Sequence, residues 1–147
     1  GYNYRITDFQ CALGISQIGR YYKFLKKRAR IVSYYQKLLN PNVVKFQKKL
    51  KIENSSNHIF PILVNPLMRK NLYLYLQKHG IGVNVHYIPI YKQPFYAKDF
   101  QGFQLENTEK YYKQTITLPL HTYLTKAEVS KVSCLVNNYL EKKIGRF

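Results

Sequence analysis

The side chains best suited to chemistry in this sequence lie at two places, the first of which is an Asn-x-Arg turn. Asn3 and Arg5 directly precede a helix start marked by Thr7 and Gln10, which are spaced as a capping box. Backbone N–H groups and the helix dipole favour anions at such a start, and arginine adds planar donors that suit phosphate or carboxylate. On their own, these residues favour the plainer interpretation, a turn-forming Asn beside a surface Arg.

The second place is the segment 81–88, in which apolar and polar side chains alternate as in a β-strand. One face carries Ile81, Val83, Val85 and Tyr87, and the other carries Gly82, Asn84, His86 and Ile88. His86 therefore lies beside Asn84 on a face that could line a cleft. Pro89 ends the strand, and residues 88–91 form a stiff exit that offers backbone groups and the Tyr91 ring to a sugar or a base. The alternative is a solvent-facing histidine with tyrosines that only pack.

The remaining histidines and the cysteines carry weaker signals. His58 lies at the start of a predicted strand, and a functional and a structural role are equally open for it. His79 ends a predicted helix, where a cation is favourable, so we expect a structural role. Cys11 and Cys134 have no partner at metal-ligand or redox-motif spacing. We therefore predict two buried thiols in a reducing, cytoplasmic environment and no metal site.

The charge of the chain bears on its partners more than on its fold. The formal net charge is +17, and basic clusters interleaved with tyrosines could bind nucleic acid. No Gly-rich phosphate loop, zinc-ligand set or RNA-recognition signature accompanies them. We therefore prefer solvated basic faces, and keep a stand-alone basic nucleic-acid-binding module as the alternative function. The sequence also contains no run of about 18 apolar residues of the kind that a membrane helix needs.

The elements that must position these residues are those of an α+β unit with a small, mainly antiparallel sheet. The pattern predicts a long helix up to residue 40, with a bend near Gly14 and Gly19. Further helices are predicted from Pro66 to Gly80, over 107–113 and after Thr125. Strands are predicted over 43–46, 58–64 and 116–118. Pro61 indicates an edge position or a break in the second strand. Hydrophobic residues make up 46% of the chain, enough for a core.

Four segments, taken in order, resemble one enzyme family. They are residues 1–8, residues 11–17, residues 80–89 and residues 118–120. Together they resemble the C-terminal part of the DegT-type nucleotide-sugar aminotransferases, which are fold-type I enzymes dependent on pyridoxal 5'-phosphate (PLP). The resemblance spans nearly all 147 residues. It is greatest to the subgroup of pseudaminic acid synthesis, a surface-glycan pathway.

The resemblance implies that this chain is a small domain joined to a larger domain that binds the cofactor. Residues 1–40 would be a helix leading to the large PLP domain, and residues 41–147 would be the C-terminal small domain. In the family, the lysine that binds PLP lies upstream of the segment that corresponds to residues 1–5. We therefore expect the sequence to be a piece of a longer chain, to contain no catalytic residue of its own, and to be inactive alone.

The resemblance also implies roles for the residues singled out above. Asn3, with Arg5, would reach across a homodimer interface to the PLP phosphate or the bound sugar of the other subunit. The pocket for the sugar nucleotide would be lined by His86, Tyr87, Ile88, Pro89, Ile90 and Tyr91, with His58 nearby. The whole enzyme would transfer an amino group from glutamate to a UDP-linked 4-keto-6-deoxy sugar.

Overall fold

A three-stranded antiparallel sheet with strand order β1-β2-β3 organises the computed structural model, which describes residues 2, 4–48 and 55–144. The helices are α1 (Asp8–Ile18), α2 (Tyr21–Leu38), α3 (Pro66–Lys78), α4 (Glu106–Gln114) and α5 (Lys126–Ile144), and the strands are β1 (Lys45–Phe46), β2 (Phe60–Leu63) and β3 (Thr115–Leu118). A short 3-10 turn spans Ile90–Lys92. The α+β architecture agrees with the sequence prediction.

The predicted long helix is two helices. The capping box at its start is present, since the Gln10 N–H donates to Thr7 Oγ1 and the Thr7 N–H donates to Gln10 Oε1. Helix α1 ends at Gly19, where the sequence predicts a bend and where glycine costs about 1 kcal/mol within a helix. None of the residues of α1 is buried, whereas α2 buries Ile31, Val32 and Tyr35.

The sheet register fixes the middle of the molecule. Phe60 pairs with Leu118 and Leu63 pairs with Thr115, so β2 lies between its two neighbours. Strand β2 is therefore not broken at Pro61, and it is not an edge strand over its full length. Strand β1 ends opposite Ile62, so at Pro61 the strand β2 has only β3 beside it, and the missing N–H removes no bond to β1.

The core joins α2, α3 and α5 to the sheet. Its deeply buried side chains include Tyr35, Leu39, Ile62, Leu72, Leu76, Ile116, Val136 and Leu140. The Asn137 amide donates to the Leu38 carbonyl at 2.8 Å and accepts from the Asn40 N–H at 3.0 Å. Helix α5 thus supplies hydrogen-bond partners for backbone groups at the C-terminal end of α2. The Tyr35 hydroxyl donates to the Pro119 carbonyl at 3.1 Å and holds the chain where it leaves β3.

The two cysteines are less buried than the sequence predicts. Cys11 is half-buried because α1 contributes nothing to the core, and Cys134 is exposed. In the part of α5 up to Lys142, the buried positions are Val129, Val132, Ser133, Val136 and Leu140, and this helical face excludes Cys134. The prediction of two buried thiols is therefore wrong.

Candidate functional site

Residues 81–88 form a strap along the free edge of β3. The strap pairs with the sheet at one point, where the Thr117 N–H donates to the Asn84 carbonyl at 2.7 Å and the Asn84 N–H donates to the Thr117 carbonyl at 3.2 Å. The predicted regular strand over 81–88 is therefore wrong. The Asn84 side chain accepts from the Val85 N–H at 2.8 Å, a local bond that competes with a ladder. Beyond it, Tyr87 and Ile88 are exposed.

His86 has its ring orientation set by the sheet. Its Nδ1 atom lies 2.8 Å from the hydroxyl oxygen of the buried Thr117, within hydrogen-bond distance. The ring also packs edge-on against Tyr87, with centroids 4.6 Å apart, across a cis peptide bond. Because Nδ1 is engaged, Nε2 is the ring nitrogen that can bind a ligand. Thr117 was not predicted from the sequence as part of the site.

The segment after the strap is anchored by a carboxylate on α4. Glu109 is 8% exposed, accepts from the Tyr91 hydroxyl at 2.8 Å and pairs with the Lys92 ammonium at 2.6 Å. The Leu105 N–H in turn donates to the Tyr91 hydroxyl at 3.4 Å. These contacts pin both ends of the loop between the strap and α4, and Glu109 too was not predicted as part of the site.

The electrostatics of this anchor follow from its hydrogen bonds. Lys92 and Tyr91 hold the pKa of the Glu109 carboxyl below its usual range. The hydrogen bond to Glu109 raises the pKa of the Lys92 ammonium, and burial followed by the same carboxylate raises the pKa of the Tyr91 hydroxyl. Lys92 is therefore held as a cation at neutral pH, a state in which lysine cannot act as a nucleophile.

The six residues predicted to line a pocket divide between an outer face and an inner anchor. Tyr87, Ile88 and Ile90 point outward, with exposures of 69%, 47% and 66%. Pro89 and Tyr91 are buried, and His86 is half-buried between the two groups. We call His86, Tyr87, Ile88 and Ile90 the wall. The wall presents one ring nitrogen, one phenol and two aliphatic side chains on a segment fixed by Thr117 and Glu109.

The other predicted site residues are placed less directly. Asn3 lies outside the described residues. Arg5 is exposed ahead of α1. His58 is exposed two residues before β2, at the end of the sheet where β3 runs on into Pro119. That Asn3, Arg5 and His58 share a pocket with the wall stays a prediction.

Apolar side chains are also exposed in two further segments of the chain. The exposed side chains include Tyr4, Phe9, Ile15 and Ile18 around α1, and Phe95, Phe100 and Phe103 in the loop before α4. Grouped apolar exposure of this extent marks contact surfaces. Within the described ranges, none of the helices combines the length and apolarity that crossing a membrane requires. The same residues hold no cluster of His, Cys, Asp or Glu suited to a metal ion.

Comparison with known proteins gives consistent matches. The profile of the DegT/DnrJ/EryC1/StrS aminotransferase family matches residues 1–137. The UDP-4-amino-4,6-dideoxy-N-acetyl-beta-L-altrosamine transaminase of Campylobacter jejuni is 36% identical over 146 residues, which is 97% of this chain and 39% of that protein. The chain thus spans about two fifths of the length of such relatives.

Solved structures agree with the sequence matches. Helicobacter pylori PseC, an aminotransferase involved in the biosynthesis of pseudoaminic acid, superposes with a TM-score of 0.88 at 31% identity, covering 97% of this chain and 39% of that one. The PLP form of the sugar aminotransferase Spr1654 from Streptococcus pneumoniae superposes with a TM-score of 0.84 at 30% identity, covering 94% and 36%. In each case the shared fold covers almost all of this chain.

Proposed function

Because this chain belongs to the DegT/DnrJ/EryC1/StrS aminotransferase family, we propose that it is the C-terminal small domain of a PLP-dependent aminotransferase acting on a nucleotide-linked sugar. The acceptor is a UDP-linked 4-keto-6-deoxy sugar and the amino donor is glutamate, in the synthesis of pseudaminic acid. The similarity to the Campylobacter transaminase and to PseC supports this choice of substrate class. The intact enzyme works as a cytoplasmic homodimer.

The observation that carries the proposal is the fixed wall. Its exposed side chains lie on a segment held at Thr117 on one side and at Glu109 on the other. Tyr87, Ile88 and Ile90 offer a ring and aliphatic faces to the sugar or the base, as is usual in small-molecule sites. His86 Nε2 orients a hydroxyl of the ligand, and Pro89 and Tyr91 hold the wall in place. Binding and orientation are thus the contribution of this chain.

The residues before α1 serve the anionic end of the ligand. Asn3 and Arg5 reach the cofactor phosphate or the sugar of the opposite subunit, and His58 borders the same pocket. The exposed apolar residues of α1 support a contact with another part of the enzyme. Residues 1–40 lead to the large domain, although the last turns of α2 already pack into the core of the small domain.

The side chains of the wall and of the segment before α1 suit the binding of a phosphate and a sugar, and we propose that the cofactor is not attached covalently to this chain. PLP supplies the electron sink for amino transfer when bound. Lys92, the lysine beside the wall, is ion-paired with Glu109 and has a raised pKa, so it does not suit that attachment. As in the family that the sequence resembles, we assign the lysine that carries PLP to the part of the enzyme outside this chain, and we expect this chain alone to be inactive.

Two experiments test the proposal. The chain is mixed with PLP and reduced with borohydride, and mass spectrometry is expected to find no stoichiometric adduct at a single lysine. In the intact enzyme, Tyr87→Ala is expected to raise KM for the keto-sugar about 10-fold, which corresponds to about 1.4 kcal/mol. Leu67→Ala, at an exposed position on α3, serves as the control and is expected to leave KM unchanged. A unique lysine adduct, or an unchanged KM in Tyr87→Ala, would refute the proposal.

A further inference from the structure

Away from the wall, a cavity of about 630 Å³ lies between α2 and the turn that leads into α5. Its α2 side carries Lys27, Arg30, Tyr34 and Lys37, which recur at helical spacing and so face the same way. Thr122, Tyr123, Leu124, Thr125 and Lys126 form the other side. The cavity shares no lining residue with the wall, and the proposed aminotransferase function does not use it.

Positive charge converges on this cavity without lining carboxylates. Lys27, Arg30, Lys37 and Lys126 line it, and its lining residues include no Asp or Glu. The neighbouring acid, Glu128, accepts from the Thr125 N–H and hydroxyl at 2.7 Å each, in the capping box that starts α5. Four cations around one space repel each other, so an anion placed between them is stabilised.

The cavity also presents aromatic faces held by its cations. The Lys27 ammonium lies 5.7 Å from the ring centroid of Tyr123, and the Lys126 ammonium lies 5.9 Å from that of Tyr34. Each lysine therefore lies over a tyrosine of the opposite side, in cation–π geometry. Apolar side chains of Ile31, Leu124 and Val129 complete the lining.

We propose that this cavity binds a nucleoside diphosphate. The cations match a diphosphate, and the tyrosine rings and apolar lining match a base, which stacks on aromatic side chains. The volume lies within the range of roughly 300 to 1,000 Å³ that is typical of small-ligand sites. A longer single strand of nucleic acid would instead follow an extended basic groove, and its binding would increase with strand length.

Titration of the chain with ADP at physiological salt, followed by calorimetry, tests the site. ADP is chosen because the wall is proposed to hold a uridine-linked sugar. ADP is expected to bind at one site at least 10-fold more tightly than pyrophosphate or adenosine alone. Tyr123→Ala is expected to remove most of the preference for ADP over pyrophosphate, since it deletes one stacking face. Equal affinity for ADP and pyrophosphate would overturn the proposal.

Pairs of variants with equal changes in charge distinguish specific binding in the cavity from non-specific electrostatic binding to a basic protein. Lys37→Gln with Lys126→Gln is expected to weaken ADP binding at least 10-fold. Lys70→Gln with Lys78→Gln removes the same charge from exposed positions on α3 and is expected to change the affinity for ADP less than 2-fold. Equal losses in the two pairs, or an eight-nucleotide RNA that binds more tightly than ADP, would overturn the proposal. Circular dichroism confirms that each variant is folded.

Discussion

Glu109 is the residue that decides where the wall lies. A buried carboxylate is costly unless it is paired and hydrogen-bonded, and here the Tyr91 hydroxyl and the Lys92 ammonium supply both partners. Both partners belong to the segment that follows the strap, whereas Glu109 belongs to α4. The hydrogen bonds of the Glu109 carboxylate therefore hold this segment against α4. They also fix the position of the neighbouring exposed side chains of Ile88 and Ile90.

This anchor makes the loop sensitive to acid. The pKa of Glu109 is lowered in the folded protein, so the stabilisation is complete above the unfolded value of about 4.3 and is lost as pH falls through the lower folded value. Hydrogen exchange is expected to show the Leu105 amide, which donates to Tyr91, losing protection below about pH 4. In Glu109→Gln the protection is expected to be low at every pH. Glu106→Gln, an exposed acid of the same helix, is the control, and identical profiles in both variants would contradict the prediction.

Tyr35 offers a second test at the scale of one residue. Its buried hydroxyl donates to the Pro119 carbonyl, and burial raises the pKa of this hydroxyl. Tyr35→Phe removes the donor and is expected to lower the free energy of unfolding by about 1 kcal/mol. Urea denaturation measures the loss. Tyr73→Phe, where the hydroxyl only accepts from the exposed Gln77 amide, is expected to cost less than about 0.5 kcal/mol.

At the scale of elements, the predictions that succeeded depend on neighbours in sequence. The Asn65 side chain accepts from the Leu67 N–H at the start of α3, and Gly80 follows α3 with a φ of 73°. Such local signals explain why a helix from Pro66 to Gly80 could be predicted, since capping uses residues one to three positions away. Thr125 and Glu128 start α5 in the same way.

The strap and its anchors could not be predicted by such local rules. Alternation correctly indicates that Ile81 and Val83 are buried, but it does not reveal that Asn84 ends the regular pairing by bonding to its own neighbour. Thr117 is 31 residues from His86, and Glu109 is 17 residues from Lys92. Only the fold brings these pairs together, so local sequence rules could not predict that Thr117 and Glu109 hold the wall.

Strand β3 contains a matched pair of threonines that tests how the strap is held. Thr117 bonds to His86, whereas the buried Thr115 hydroxyl has no partner among the described residues. Thr117→Val is expected to release the His86 ring, which NMR detects as altered chemical shifts of the ring. Thr115→Val is expected to leave His86 unchanged and to stabilise the protein by up to about 1 kcal/mol, since it removes an unsatisfied buried hydroxyl. A His86 signal that is unaffected by Thr117→Val would contradict this account.

At the scale of the whole molecule, burial is uneven along the chain. The core begins within α2 and continues to Leu140, whereas α1 carries exposed apolar residues such as Phe9, at 81%, and Ile18, at 74%. A helix that buries no side chain gains little from tertiary packing, which normally supplies most helical stability. Helix α1 is therefore suited to pack against another body, in line with the proposed contact to the rest of the enzyme.

A pair of large-to-small substitutions tests this uneven burial. Leu76→Ala empties a fully buried position and is expected to lower the free energy of unfolding of this chain by about 2 to 5 kcal/mol. Phe9→Ala removes a larger side chain, yet it is expected to cost less than about 0.5 kcal/mol in the same denaturation experiment, because that side chain is not covered. In the intact enzyme, Phe9→Ala is expected to become clearly destabilising, since its ring would then be buried. A loss of several kcal/mol from Phe9→Ala in the chain alone would mean that α1 packs on the core of this domain and is not available to another.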